Sequence, residues 1–204
     1  GTELDSFLAE QKKPAAAIQL GQWHSIGPFK AENFTVGFAE SFGPEVLPNL
    51  DLTATYQEGP ENKKVERLWT AQPDWKDATV YNDKLKGGNS VFYLQREITS
   101  PKAQSIGLSV SGNDGLKVWI NGYLAGEERK GGDAAADELK MSLPLLKGKN
   151  TLLIKIANGS GTAGFYFASS LETDRVPKAA EPVLKIEPAK WTDAQKKILF
   201  DWFK

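Results

Sequence analysis

Through the middle of the chain, apolar residues recur at every second position; a period near 3.6 appears only at the two ends. In "SIGLSV" Ile106, Leu108 and Val110 share a face, in "LKVWI" Leu116, Val118 and Ile120 do, and in "TLLIKIA" Leu152, Ile154 and Ile156 do. "GFYFAS" sets Phe165 and Phe167 around Tyr166, and "SVFYLQREI" and "QWHSIGPF" read as further strands. Such alternation marks strands with one face buried. Turn chemistry falls between them. Asn121-Gly122 offers two residues that tolerate positive φ, as both centres of a type I′ hairpin require. "LLKGKN" is a second tight turn. Short strands broken by Gly and Asn turns, with no alternating helices, predict an antiparallel sandwich.

The ends read as helices. In "TELDSFLAEQKKP" Thr2 and Asp5 have capping-box spacing, Leu4, Phe7 and Leu8 share a face, and Pro14 stops the run. In "WTDAQKKILFDWFK" Thr192 and Gln195 predict a capping box, and Ile198, Leu199, Trp202 and Phe203 form one apolar stripe. The resulting division is 1–19 for the N-terminal helix and linker, 20–171 for the sandwich, and 172–204 for a linker and C-terminal amphipathic helix. The leading Gly1 and the stripe that runs to the last residue suggest a piece excised from a longer polypeptide. Between Lys30 and Asn89 the pattern is irregular and rich in Pro, Asp, Asn and Gly, a composition that suits loops carrying function on a rigid scaffold.

Composition narrows the chemistry. A chain of 204 residues buries enough surface to fold without staples. Its formal net charge of −1 gives no electrostatic case for nucleic acid or an anionic membrane, and no run of 18 apolar residues predicts membrane insertion. Cysteine is absent, which excludes disulfides, thiol nucleophiles and thiolate metal sites. The sole histidine, His24, falls within an alternating strand and reads as a strand-surface residue. A Ser-His-Asp triad would have to use it. Among 26 acidic residues no pair stands out as the two carboxylates of a glycosidase. A non-catalytic protein is expected.

"NDGLKVWINGYLAGE" and "LKMSLPLLKGKNTLLIKIANGSGTAGFYFA" together resemble the galactose-binding-like jelly-roll family, including the sugar-binding domains attached to bacterial glycoside hydrolases. With "WHSIGPF", "PEVLPNLDLTATY", "LWTAQPDWKD" and "VFYLQREITSPKAQSIGLSVSGNDG", the pattern also resembles modules of large secreted planctomycete-type bacterial proteins. The resemblance covers about residues 20 to 171. It implies a jelly-roll β-sandwich in an exported, multidomain bacterial protein, extracellular or periplasmic, with a polysaccharide or glycan and neighbouring domains as partners. Related folds bind glycans through loops, and some hold a structural calcium.

Two constellations are candidates for binding. In "LWTAQPDWKDATVY" Trp69, Trp75 and Tyr81 lie in a polar, Pro-containing stretch with Asp74 and Asp77. Aromatic rings stack on the apolar faces of sugars while acids orient the hydroxyls, so these five make a glycan platform. Trp69 follows Leu68 and also reads as core, and a large aromatic such as Trp75 also suits a plug at the sandwich end. The second candidate is Asn113-Asp114-Gly115. Asn113 and Asp114 supply hard oxygens that suit calcium, and the triplet resembles the Asp-Asp-Gly turn of PA14-type domains, with Asn113 replacing the first acid. It is equally a turn sequence. Arg129 is placed near Asp114 as a further ligand contact. Trp23 and Trp119 read as packing residues. The alternative to glycan binding is a structural or protein-interaction sandwich with no small ligand.

Overall fold

The computed structural model describes residues 17–45, 50–173, 181–184, 186, 190 and 192–203. The chain divides into two compact units, Ile18–Glu172 and the two terminal segments Gly1–Ala17 and Thr173–Lys204. In the first unit the strands are β1 (Gln19–Leu20), β2 (Trp23–Lys30), β3 (Thr55–Glu58), β4 (Val65–Leu68), β5 (Thr70–Gln72), β6 (Tyr81–Lys86) and β7 (Ser90–Ser100). They continue as β8 (Gln104–Gly112), β9 (Asp114–Ile120), β10 (Tyr123–Lys130), β11 (Leu139–Leu145), β12 (Gly148–Asn158) and β13 (Thr162–Ser169).

One sheet has the order β10-β9-β12-β7-β2-β5, with β1 also pairing with β7. The facing sheet has the order β11-β8-β13-β6, and β3 and β4 form a separate hairpin. All pairings are antiparallel. From β6 to β9 and from β10 to β13 the chain changes sheet at every connection, which makes the sandwich a jelly roll. The fold class read from the sequence is the one observed.

The inward positions are those the alternation predicts. Ile106, Leu108 and Val110 meet Leu116, Val118, Ile120, Leu152, Ile154, Ile156, Phe165 and Phe167 in one buried cluster. Fully burying each such side chain favours folding by about 1.5–3 kcal/mol. Trp23 is also in this core, edge-on to Phe167 with ring centroids 4.9 Å apart.

Asparagines finish the turns by imitating backbone. Asn121 and Gly122 both have positive φ, 50° and 82°, as the hairpin requires. Asn121 Oδ1 accepts from Thr151 N while the Asn121 backbone N–H donates to Thr151 O. Asn82, in β6, makes both bonds with its side chain: Nδ2 donates to Ala134 O and Oδ1 accepts from Ala134 N.

The other side of the larger sheet is covered too. A short helix, α1 (Phe34–Ala39), is capped by Asn33 Oδ1, which accepts from Val36 N at 3.0 Å. Phe38 of this helix seats against Gly115, where an added Cβ would lie 2.7 Å from the ring. A glycine inside a strand often marks such a close approach. Phe38 joins Ile26, Phe29, Val91, Tyr93, Leu153 and Ala157 in a second buried cluster, bordered by Phe34, Phe42, Leu50, Tyr56, Trp69 and Trp119. The irregular segment between β2 and β5 is therefore a cover for this outer face.

In the second unit a helix spans Asp193–Phe203. Thr192 N donates to Gln195 Oε1 at 2.9 Å and Gln195 N to Thr192 Oγ1 at 3.3 Å, so the capping box forms as predicted. The N-terminal helix expected over residues 2–14, and the side chains of Leu199, Trp202 and Phe203, lie outside the described residues. No described helix is long and apolar enough to cross a membrane.

Candidate binding face

The platform expected around Trp75 is divided by the fold. Trp75 and Tyr81 do come together, at 6.2 Å between ring centroids, but both rest on Phe165, at 4.6 and 5.2 Å. Phe165 belongs to the inner core, so Trp75 closes the sandwich edge where the chain passes from β5 to β6. Tyr81 Oη accepts from Lys76 N at 2.9 Å, and Asp74 is exposed. Asp77 points inward. Both its oxygens accept from Arg96 Nη1, at 2.7 and 2.8 Å, and Oδ1 also accepts from Trp23 Nε1 at 3.1 Å. Arg96 stacks on Trp23 at 4.6 Å and donates to Gly21 O. The Asp77 carboxylate thus ties the loop to the core instead of facing a ligand.

The Asn113-Asp114 turn is similarly engaged. Asn113 is buried; its Oδ1 accepts from Gly164 N at 2.7 Å and its own N–H donates to Gly164 O at 3.2 Å. Asp114 Oδ2 accepts from Gly159 N at 2.8 Å. Calcium requires six to eight oxygens, and among the described residues no group of three or more His, Cys, Asp or Glu gathers to hold a metal. This donor set does not make up a calcium site. Arg129 lies opposite Gly115, with Lys130 opposite Asp114, and its guanidinium stacks on Phe38 at 4.2 Å.

The outer face of the larger sheet has a different character. Pairing registers set Ala71, His24, Gln95, Leu153, Trp119 and Leu124 in one row across six strands. His24 and Gln95 are directly opposed, so their Cβ atoms are about 4.5–5.5 Å apart. Trp119 stands two strands from Gln95, about 10 Å away. Gln95 is only 5% exposed, yet among the described residues its Oε1 has no hydrogen-bond partner, and neither has buried His24 Nδ1. Trp69 Nε1 and Tyr56 Oη, at the border of the same face, are also buried and lie beside each other. Burial raises the Tyr56 hydroxyl above its ordinary range, and the neighbouring Trp69 N–H works against that shift. A buried polar group without a partner costs about 1–3 kcal/mol. Two such groups, Gln95 Oε1 and His24 Nδ1, stand on this face, with partly buried Trp69 and Trp119 at its borders.

Beneath α1 the next row carries charge. Lys155 stands between Tyr93 and Lys117 in register and is fully buried. Its ammonium meets Glu45 Oε1 at 2.8 Å and donates to Glu40 O at 2.6 Å and Phe38 O at 3.4 Å. Burial pushes this ammonium's pKa down, and the Glu45 contact opposes the shift. Tyr93 Oη also donates to Glu45 Oε1. Burial, then the charge and hydrogen bond of Glu45, drive the Tyr93 pKa well above the ordinary phenol value. An unfolded tyrosine loses its proton near pH 10. Above that pH the folded chain holds one proton more than the unfolded chain, so stability falls as pH rises. In an ultraviolet phenolate titration, at least one of the five tyrosines should stay protonated until the protein unfolds. Reversible titration of all five in the folded state would contradict this.

Two residues central to this face, Gln95 and Lys155, had no place among the sequence candidates. The signal was present in "SVFYLQREI": Val91, Tyr93 and Gln95 occupy the outward positions, and a strand apolar on both sides is covered on both sides.

No family model matches the chain, and no curated protein sequence matches it. Solved structures do show likeness. A PA14 sugar-binding domain from an RTX adhesin is 10% identical, covering 76% of this chain and 92% of that one, with a TM-score of 0.38. The PA14 domain of MpAFP antifreeze protein is 9% identical over 78% and 86% of the two chains, with a TM-score of 0.37. A β-glucosidase from Kluyveromyces marxianus is 18% identical over 48% of this chain and 13% of the enzyme, with a TM-score of 0.32; the chain thus matches a small part of that enzyme. With every TM-score below 0.5, the functional reading rests on the chain's own geometry.

Proposed function

We propose that the chain is a non-catalytic carbohydrate-binding module, and that it binds on the outer face of the larger sheet. The supporting observation is the row in which His24 and Gln95, polar atoms without a partner among the described residues, stand in line with Trp119, while Trp69 borders the same face. Sugars present hydroxyls at the ring edge and apolar C–H groups on the ring face, and a site of buried polar atoms flanked by indoles matches both. Under this reading the chain is a module of a larger exported, multidomain protein, and its partner is a glycan. Trp75 and Tyr81 support the edge of the sandwich, from which Asp74 remains available to solvent.

Trp119→Ala should weaken glycan binding at least tenfold on a mixed neutral and acidic array, since one aromatic stacking contact contributes about 1–3 kcal/mol in comparable ring stacking. Trp75→Ala should change the melting temperature more than the affinity. The opposite pattern, with affinity lost at Trp75 and kept at Trp119, would move the site back to the loop. The interaction-domain alternative draws on exposed Tyr123, Leu124 and Leu146, carried on two turns joined through Asn121 and Asn150. Absence of binding across the whole array, with wild-type protein folded, would favour that alternative.

A further inference from the structure

We infer that the end of the sandwich formed by the β7–β8, β9–β10 and β11–β12 turns docks on the surface of an anionic phospholipid bilayer. Tyr123, Leu124 and Leu146 enter the headgroup layer, and Lys102 and Lys147 face its phosphates. This surface is separate from the proposed glycan face and does not depend on it.

Strand pairing gathers the three turns. Gly148 stands opposite Ser100 and Leu145 opposite Gln104, which sets the β11–β12 turn beside the β7–β8 turn. Asn121, in the β9–β10 turn, donates from Nδ2 to Asn150 Oδ1 at 2.8 Å. Among the described residues the two most exposed large apolar side chains are Tyr123, at 78%, and Leu146, at 63%; Leu124 is 52% exposed. Exposed apolar residues scattered singly need no explanation. Here three stand on two turns that are hydrogen-bonded to each other.

The charges are arranged to match. Residues 100–104, 121–124 and 146–150 include Lys102, Lys147 and Lys149 and no acid. Lys149 is held by Glu97 at 3.1 Å, whereas Lys102 and Lys147 are exposed. At the opposite end, the β10–β11 connection carries Asp133, Asp137 and Glu138. The net charge of −1 thus averages an acidic end and a basic, apolar one. An anionic lipid surface attracts each nearby lysine by about fivefold in affinity.

The turn backbone favours lipid as the occupant. An apolar layer offers peptide groups no hydrogen bonds, so a segment entering it must satisfy its own. Asn150, 1% exposed, does this for the β11–β12 turn. Its Oδ1 accepts from Leu146 N at 2.8 Å, and its Nδ2 donates to Leu146 O and Gly148 O at 2.9 and 3.1 Å. Asn121 exchanges its two bonds with Thr151, and Ser100 Oγ donates to Lys102 O at 2.7 Å. Tyrosine suits the depth of the headgroups, where its ring meets apolar chains and its hydroxyl stays wet.

Flotation of the full chain with vesicles of phosphatidylcholine, alone or mixed with phosphatidylglycerol, tests this. Wild type should float with the mixed vesicles and not with phosphatidylcholine alone, and salt should release it. Leu146→Ser and Tyr123→Ser should each weaken binding about tenfold. Their melting temperatures should match wild type, since both side chains are exposed in the folded chain. Lys147→Ala should weaken binding about fivefold. Val65→Ser, which removes an exposed apolar residue of the β3–β4 hairpin, should bind as wild type does. Folded wild type that does not float with mixed vesicles overturns the inference. Equal binding to both vesicle types also overturns it, because charge then has no part. Binding that survives in both Leu146→Ser and Tyr123→Ser places the contact elsewhere and overturns it too. Sedimentation velocity without vesicles supplies the last arm: a wild-type dimer that Leu146→Ser dissolves would show a second copy on these turns, against the inference, and a monomer supports it.

Discussion

Asp77→Ala is expected to cost about 3–5 kcal/mol of folding stability, the usual consequence of removing one partner from a buried ion pair. Side-chain exposure is 7% for Arg96 and 16% for Asp77, so water cannot replace the missing carboxylate. The guanidinium would keep Gly21 O as an acceptor and its contacts with Trp23 and Phe167, none of which carries a negative charge. At about 2–4 °C per kcal/mol for a chain of this size, the melting temperature should fall by about 10 °C. Adding Arg96→Met should recover a large part of that loss, because the uncompensated cation goes with it. Chemical denaturation of the two single variants and the double variant measures both terms. A cost near that of an exposed pair, at most about 1 kcal/mol, would show that solvent reaches Arg96.

This pair also shows what the sequence could reveal and what it could not. The inward faces of β8, β9, β12 and β13 were legible because alternation is a local property: Leu152, Ile154 and Ile156 announce their common side without reference to any other strand. The Asn121 hairpin and the Thr192 capping box were legible for the same reason, each being settled within four residues. Asp77 was not. In "PDWKDATVY" it looks like any loop acid, and only the fold brings it to Arg96, nineteen positions away, and to Trp23, fifty-four away. Trp75 posed the same difficulty. A tryptophan in a polar loop suits a sugar platform or a plug, and its contact with distant Phe165 decides how it packs.

The outer face was hidden by a more specific ambiguity. In "TLLIKIA" the lysine marks what looks like the solvent side of an amphipathic strand, and His24 and Gln95 appear to do the same on their strands. The covering segment reverses that reading, because Phe34, Phe38, Phe42, Tyr56 and Trp69 all pack on the face those polar residues occupy. Composition alone does not reveal a cover that arrives from elsewhere in the chain. The apolar outward positions Val91 and Tyr93 were the available hint, and they mattered only in combination with the polar neighbours.

Glu45→Ala should destabilise the protein as much as the loss of Asp77, about 3–5 kcal/mol, and should also weaken binding on the outer face. Lys155 has no exposed surface and Glu45 only 8% at the side chain, so removing the carboxylate leaves a buried ammonium held by two carbonyls, Phe38 O and Glu40 O. Those carbonyls belong to the end of α1 and the residue that follows it, while Glu45 ends the 3-10 turn Gly43–Glu45. The network therefore fastens the cover to the centre of the sheet. Tyr93 and Lys155 each stand two residues from a member of the binding row, Gln95 and Leu153, on the same side of the same strands, so loosening them loosens the row. Replacing both charges, with Glu45→Leu and Lys155→Met together, should restore most of the stability, since well-packed apolar groups often match a buried ion pair. The cover can then be fastened without charge, and glycan affinity should return with it. If stability returns but affinity does not, the ion pair itself contributes to binding; if Glu45→Ala leaves both unchanged, the cover is held by its aromatic contacts alone.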